Sequence, residues 1–109
     1  MVHAFHELTR WCNEHPEDRE RIERDQLFLQ RCVHESLRLH PASPVAWRVA
    51  ECPFALVTGS TVQAGDSVMI DIETANREAA LFGDDADKFN PHRELVGRTP
   101  AYGLTFGVG

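Results

Sequence analysis

Glu35 and Arg38 stand three residues apart in "DQLFLQRCVHESLRLHP", a stretch that Asp25 can cap as a helix and that Pro41 stops at or before His40. At helical spacing Phe28, Cys32, Glu35 and Leu39 share one face, with Arg38 beside the carboxylate. Two readings stay open. An exposed carboxylate–guanidinium pair contributes little to stability. A carboxylate set among Phe, Cys and Leu is costly unless fixed cations hold it. Arg48 is a second candidate. It lies in "VAWRVA", where Val45, Trp47 and Val49 point one way and Ala46, Arg48 and Ala50 the other, the period of a strand. A guanidinium fork suits a carboxylate partner, whereas a bland edge-strand position would leave it in water. The third candidate is "TFGVG", where Phe106 precedes Gly107 and Gly109. Glycines placed so let a backbone come very close to something.

Other residue types with chemical potential point nowhere. His3 and His6, and again Cys12 and His15, are spaced as helical neighbours, but neither pair has a second pair at zinc spacing. Asp84, Asp85 and Asp87 in "GDDADKF" lack the glycine and closing glutamate of a calcium loop, so a solvated acidic turn is expected. Seventeen acids against 11 bases give a net charge of −6, which argues against nucleic-acid partners. No apolar run is long enough to span a bilayer, and "MVHAFHELTR" lacks the pattern of a signal peptide. Three widely spaced cysteines, Cys12, Cys32 and Cys52, form no disulfide framework, which fits a reducing, cytoplasmic location.

These candidates need elements to position them. A chain of 109 residues is at most one small domain. "HAFHELTRWCNEH" reads as a helix with Phe5, Leu8, Trp11 and Cys12 on one face. "NEHPEDRERIERD" restarts a helix, with Pro16 at its first position and Glu17 and Asp18 at its positive end. Beyond "VAWRVA", the segments "FALV" and "STVQAGDSVMIDIE" read as short strands, and Ala64-Gly65-Asp66 is a turn between two of them. "ANREAALFG" returns to a short helix, capped by Thr74 or Asn76. The final "DDADKFNPHRELVGRTPAYGLTFGVG" is turn-rich and aperiodic, and so long that it must wrap something or be disordered. The fold class is mainly α with a small antiparallel β region, α+β.

In this order the segments resemble the C-terminal part of a cytochrome P450, a haem-thiolate monooxygenase. "HESLRLHP" carries the family's Glu-x-x-Arg as Glu35 and Arg38, followed by His-Pro. "VAWRVA" matches the following strand, and "STVQAGDSVMIDIETANREAALFGDDADKFNPHR" resembles the hairpin, the Ala-Asn-Arg stretch and the meander, with Phe89, Pro91 and Arg93 as Phe-x-Pro-x-Arg. "FGVG" matches the first half of Phe-Gly-x-Gly-x-His-x-Cys-x-Gly, and "CNEHPEDRERI" looks like the junction after the long central helix. Glu-x-x-Arg or "FGVG" alone is weak. The four features in order, over nearly the whole chain, are specific.

The resemblance implies a partial domain over residues 1–109, incomplete as a fold. It implies a buried network of Glu35, Arg38 and Arg93, a haem propionate on Arg48, and haem contact at Phe106, Gly107 and Gly109. Val45, Ala46 and Trp47 would line part of a substrate pocket. The cofactor would be haem b, and the partners an organic substrate, O2 and a ferredoxin or reductase. The axial cysteine would lie beyond Gly109 and the proton relay before Met1, so no catalytic residue or metal ligand is expected among these residues. The isolated chain is expected to be inactive and not to retain haem. The alternatives are a non-catalytic remnant and an acidic α+β interaction module without haem. Helical faces that expect partners from elsewhere predict a marginal, partly molten isolated chain. Heating it should give a broad transition with weak near-UV circular dichroism; a sharp, cooperative transition with fixed near-UV signal counts against this.

Overall fold

The computed structural model describes residues 2–106, and the side chains of residues 5–106. Three helices come first: α1 (Val2–Glu14), α2 (Pro16–Arg24) and α3 (Gln26–Leu39). Pro16 occupies the first turn of α2, where its missing N–H costs nothing, with Glu17 and Asp18 beside it. Asp25 ends α2 and starts α3. Its carboxylate accepts from the Leu27 and Phe28 amides, two of the orphan donors of the new helix. His40 caps the far end of α3 immediately before Pro41, as the pre-proline restriction requires.

The core is a cluster of Phe28, Cys32, Leu39 and Phe89, with Leu8, Trp11 and Ile22 packed against it. It is therefore built from the inner faces of all three helices and from one aromatic of the late, aperiodic segment. Phe5 departs from its expected place on this face and is 65% exposed. Glu7 already meets His40 at the C-terminal end of α3, so Phe5, earlier still, lies past the helix it would pack on.

The strands form two separate two-stranded ribbons. β1 (Val45–Val49) pairs antiparallel with β4 (Ser67–Asp71), placing Trp47 opposite Met69 and Arg48 opposite Val68. β2 (Phe54–Ala55) pairs with β3 (Thr61–Val62) around a turn in which Gly59 takes a positive φ of 93°. The Gly65 turn thus links strands of different ribbons rather than closing a hairpin. Its amide donates to Ala50, whose own amide donates to Asp66.

The expected helix over "ANREAALFG" is two short helices, α4 (Ile72–Ala75) and α5 (Ala79–Phe82). Asp71 caps α4 through the Thr74 amide and hydroxyl, so neither Thr74 nor Asn76 is the N-cap. Asn76 ends α4 as its C-cap, its amide donating to Ile72, and its side chain is buried against α3, so it does not cap the helix that follows. The segment after α5, residues 83–106, wraps α3 in a series of turns.

Candidate functional site

The carboxylate of Glu35 is fully buried, and so is the guanidinium of Arg38. α3 brings them together: Arg38 Nε donates to Glu35 Oε1 at 2.7 Å and Nη2 to Oε2 at 3.0 Å. The second cation comes from the wrap. Arg93 Nε and Nη2 donate to Oε2 at 3.3 and 3.2 Å, and the Asn90 amide adds a bond at 2.9 Å. Of the two open readings, the buried one is correct. A lone carboxylate would be costly to bury there. Two guanidiniums and an amide compensate its desolvation.

Each arginine also grips backbone. Arg38 Nη1 donates to the carbonyls of Asn76 and Ala86, both at 2.7 Å, and Nη2 to Lys88 at 3.2 Å. Arg93 Nη2 donates to the carbonyls of Lys88 and Asp85, and Nη1 to the Phe82 carbonyl and the Asp85 carboxylate. Arg38 thereby uses all the donors of its fork, which explains how so polar a group is buried without loss. Arg31, one turn before Glu35, donates to the Arg93 carbonyl at 3.1 Å. Burial pushes its pKa down, Glu35 opposes this, and Arg93 and Arg38 add to it.

Asp85 corrects the expectation of a solvated acidic turn. Burial pushes its carboxyl up, but hydrogen bonds from Arg93 and Asn90 hold it below its ordinary value. Sequence reading missed it because three aspartates in one turn look alike until Arg93 selects one.

A second polar knot fastens the wrap to α2. Asp18, itself buried, accepts from the Trp11 indole at 2.9 Å and from His92 at 2.7 Å. His92 stacks on Phe28 with ring centres 5.2 Å apart, and His15 stacks on Trp11 at 3.7 Å. Burial raises the Asp18 carboxyl, yet the His92 and Trp11 bonds outweigh it and leave it below the ordinary value.

The α3 C-terminus is satisfied by distant residues. The last four carbonyls of a helix have no partner within it. Here Ser36 accepts from the His40 amide, Leu37 from the Thr105 hydroxyl, Arg38 from the Asn76 amide group and Leu39 from Arg77. Asn76 and Thr105 carried no signal in composition or periodicity; the Ala-Asn-Arg stretch was recognisable as a pattern but not as a helix cap.

The remaining candidates lie at the surface. Arg48 is exposed, and among the described residues its guanidinium donates to the carbonyl of neighbouring Trp47 at 2.9 Å. By strand alternation and register, Ala46, Arg48, Val68 and Ile70 share one face of the ribbon, while Val45, Trp47, Val49 and Met69 share the other. Val45, Ala46 and Trp47 therefore do not present a single face. Trp47 is 62% exposed and Phe106 65%. Phe106 meets Tyr102 edge-on at 4.9 Å. Gly107 and Gly109 lie outside the described residues. Cys32 is buried, and burial pushes its thiol up to about 12, which keeps it a protonated core residue. Among the described residues no helix is long and apolar enough to cross a membrane.

A carboxylate is locked between a helical arginine and one from the wrap, and an exposed strand arginine follows nearby in sequence. The family description "Cytochrome P450" matches residues 5–109, and the chain belongs to that family. It is similar to cytochrome P450 monooxygenase FCK2 of Fusarium pseudograminearum, with 38% identity over 75% of this chain and 16% of the relative. It is also similar to cytochrome P450 71A22 of Arabidopsis thaliana, with 32% identity over 79% of this chain and 19% of the relative. The structure of CYP154A1 from Streptomyces coelicolor superposes with a TM-score of 0.71 and 26% identity, covering 99% of this chain and 26% of that one. The chain thus spans less than a fifth of these curated relatives and about a quarter of the solved structure. The small antiparallel ribbons and the preceding helices are the α+β part of this fold.

Two outcomes follow. Glu35→Ala leaves two buried guanidiniums without their anion, a loss of about 3–5 kcal/mol. Limited proteolysis should then cut between residues 83 and 93 far faster than in the parent, and equal rates would contradict the network's role. The second concerns acid. The Asp18 carboxyl is depressed in the folded state, so its contribution is complete above the ordinary Asp value of about 3.9 and is lost as pH falls through the lowered one. The difference in urea resistance between the parent and Asp18→Asn should be largest near neutrality, narrowing as pH falls below the ordinary Asp value of about 3.9. A difference constant with pH would count against it.

Proposed function

We propose that this chain forms the cofactor-side scaffold of a haem-thiolate monooxygenase. The observation that carries this reading is the buried Glu35–Arg38–Arg93 network, which ties the wrap leading to Phe106 onto α3. The residues present fit a haem in chemical kind. Arg48 offers an exposed guanidinium with most of its donors uncommitted, as a propionate requires. Phe106, Trp47 and Val49 are large apolar side chains left exposed, as an apolar macrocycle and substrate require. Haem b, when bound, supplies reductive activation of O2, one atom of which goes to an organic substrate.

Within that reaction each residue of this chain has a supporting part. Arg48 holds a propionate. Phe106, with Gly107 and Gly109, lines the approach to the cofactor. Glu35, Arg38 and Arg93 hold the wrap and perform no chemistry. Val45 and Trp47 on one face of the ribbon, and Ala46 on the other, contribute to a substrate pocket that reaches around the β1 edge. Electrons come from a ferredoxin or reductase. None of Cys12, Cys32 and Cys52 stands in the axial-ligand motif, so these residues alone supply neither the thiolate nor the proton relay.

Haem titration with a carbon monoxide difference spectrum tests this directly. The 109-residue chain should give no thiolate-type, red-shifted Soret band; such a band would overturn the assignment of a scaffold without its ligand. In haem-loaded protein carrying this segment upstream of its cysteine, Arg48→Leu should weaken haem retention by about tenfold or more, the worth of a charge-assisted hydrogen bond. Retention unchanged by that substitution would remove Arg48 from the site.

A further inference from the structure

We propose that Asn76 is the positioning residue that fixes the backbone of residues 103–105 as it leads into Phe106. The inference rests on reading Phe106 as part of the approach to haem, and it concerns how that approach is aimed. Asn76 is fully buried, and every polar atom of its side chain is committed. Its Oδ1 accepts from the Leu104 amide at 2.7 Å. Its Nδ2 donates to the Arg38 carbonyl and to Thr105 Oγ1, both at 3.1 Å. Thr105 Oγ1 in turn donates to the Leu37 carbonyl at 2.9 Å. One amide therefore joins the C-terminal turn of α3 to two successive residues immediately before Phe106.

The chemistry selects asparagine. Leu104 presents a donor and Arg38 an acceptor, so the side chain must offer one of each on a short stem. Aspartate would set an acceptor against the Arg38 carbonyl, and leucine would strand both groups. The orientation of the amide follows from the same pairing, since exchanging oxygen and nitrogen would oppose donor to donor and acceptor to acceptor.

Gly103 carries the second, independent observation. Its φ is +60°, and a Cβ built on it would stand 2.2 Å from Asn76 Oδ1 and 2.8 Å from Asn76 Cγ. The backbone thus passes so close to Asn76 that no side chain fits between them. The main chain of Asn76 is itself held, because its carbonyl accepts from Arg38 at 2.7 Å. Position is handed from the buried Glu35–Arg38 pair to Asn76, and from Asn76 to residues 103–105. A residue that only filled space would need neither the matched donor and acceptor nor a glycine opposite.

Site-resolved amide hydrogen exchange on full-length protein carrying this segment tests this, with Asn76→Ala, Thr105→Val, Gly103→Ala and the Asn76→Ala/Gly103→Ala double variant. In the parent, the Leu104 amide should be protected. Asn76→Ala should speed its exchange at least about tenfold, the loss expected for a buried hydrogen bond, while Cys32 and Ser36 amides inside α3 change little. Thr105→Val keeps the shape of its residue and should speed Leu104 less. Gly103→Ala should release Leu104, and Asn76→Ala should add little to it, because the two disrupt one contact. An unprotected Leu104 in the parent, unchanged Leu104 exchange in Asn76→Ala, equal acceleration of all amides, or additive effects in the double variant would each overturn the proposal. The amide readout needs no haem, so failure of the haem reading registers separately in the titration described above.

Discussion

The structure depends on a buried carboxylate. Glu35 gives up its hydration at the centre of a small domain, and that cost is recovered only if Arg38 and Arg93 arrive together. Arg38 is local, one helical turn away. Arg93 is far along the chain, so satisfying Glu35 forces residues 83–93 to return across α3. The long segment is ordered for this reason. It has little hydrophobic periodicity of its own and contributes Phe89 and Ala86 as its buried apolar anchors. Charge compensation, more than apolar burial, sets its course.

Several elements were legible in the sequence because their causes are local. Pro16, Asp25 and Pro41 mark helix boundaries by geometry that no tertiary contact can override cheaply. The alternation of "VAWRVA" and of Val68 with Ile70 gave two strands. Their partners were harder. The Gly65 turn looks like a hairpin turn from its sequence, yet the strands on either side pair elsewhere, because pairing is decided across the ribbon and not at the turn. Phe5 had the right spacing but lies beyond the end of its partner helix, information that periodicity does not hold.

The site divides in the same way. Glu35 and Arg38 could be placed beside each other from helical spacing, but whether water reached them could not. Arg93 and the haem roles of Arg48 and Phe106 came from resemblance alone. Asp85, Asp18, Asn76 and Thr105 were missed. Each is a common polar residue in a polar neighbourhood, and each matters because groups elsewhere in the chain, Arg93, His92, Leu104 and the Leu37 carbonyl among them, stand within hydrogen-bond reach. Such roles are properties of pairs far apart in the chain, and a single sequence does not list its pairs.

The wrap is held chiefly by its main chain. Arg38, Arg93 and Arg31 grip the carbonyls of Phe82, Asp85, Ala86, Lys88 and Arg93, and a carbonyl is the same atom whatever side chain accompanies it. The path of this segment is thereby separated from most of its composition. Lys88 and Glu94 can drift in charge and size while the backbone stays where the guanidiniums put it. Natural variation has an outward-facing surface here that it can rewrite for new neighbours without disturbing the scaffold beneath.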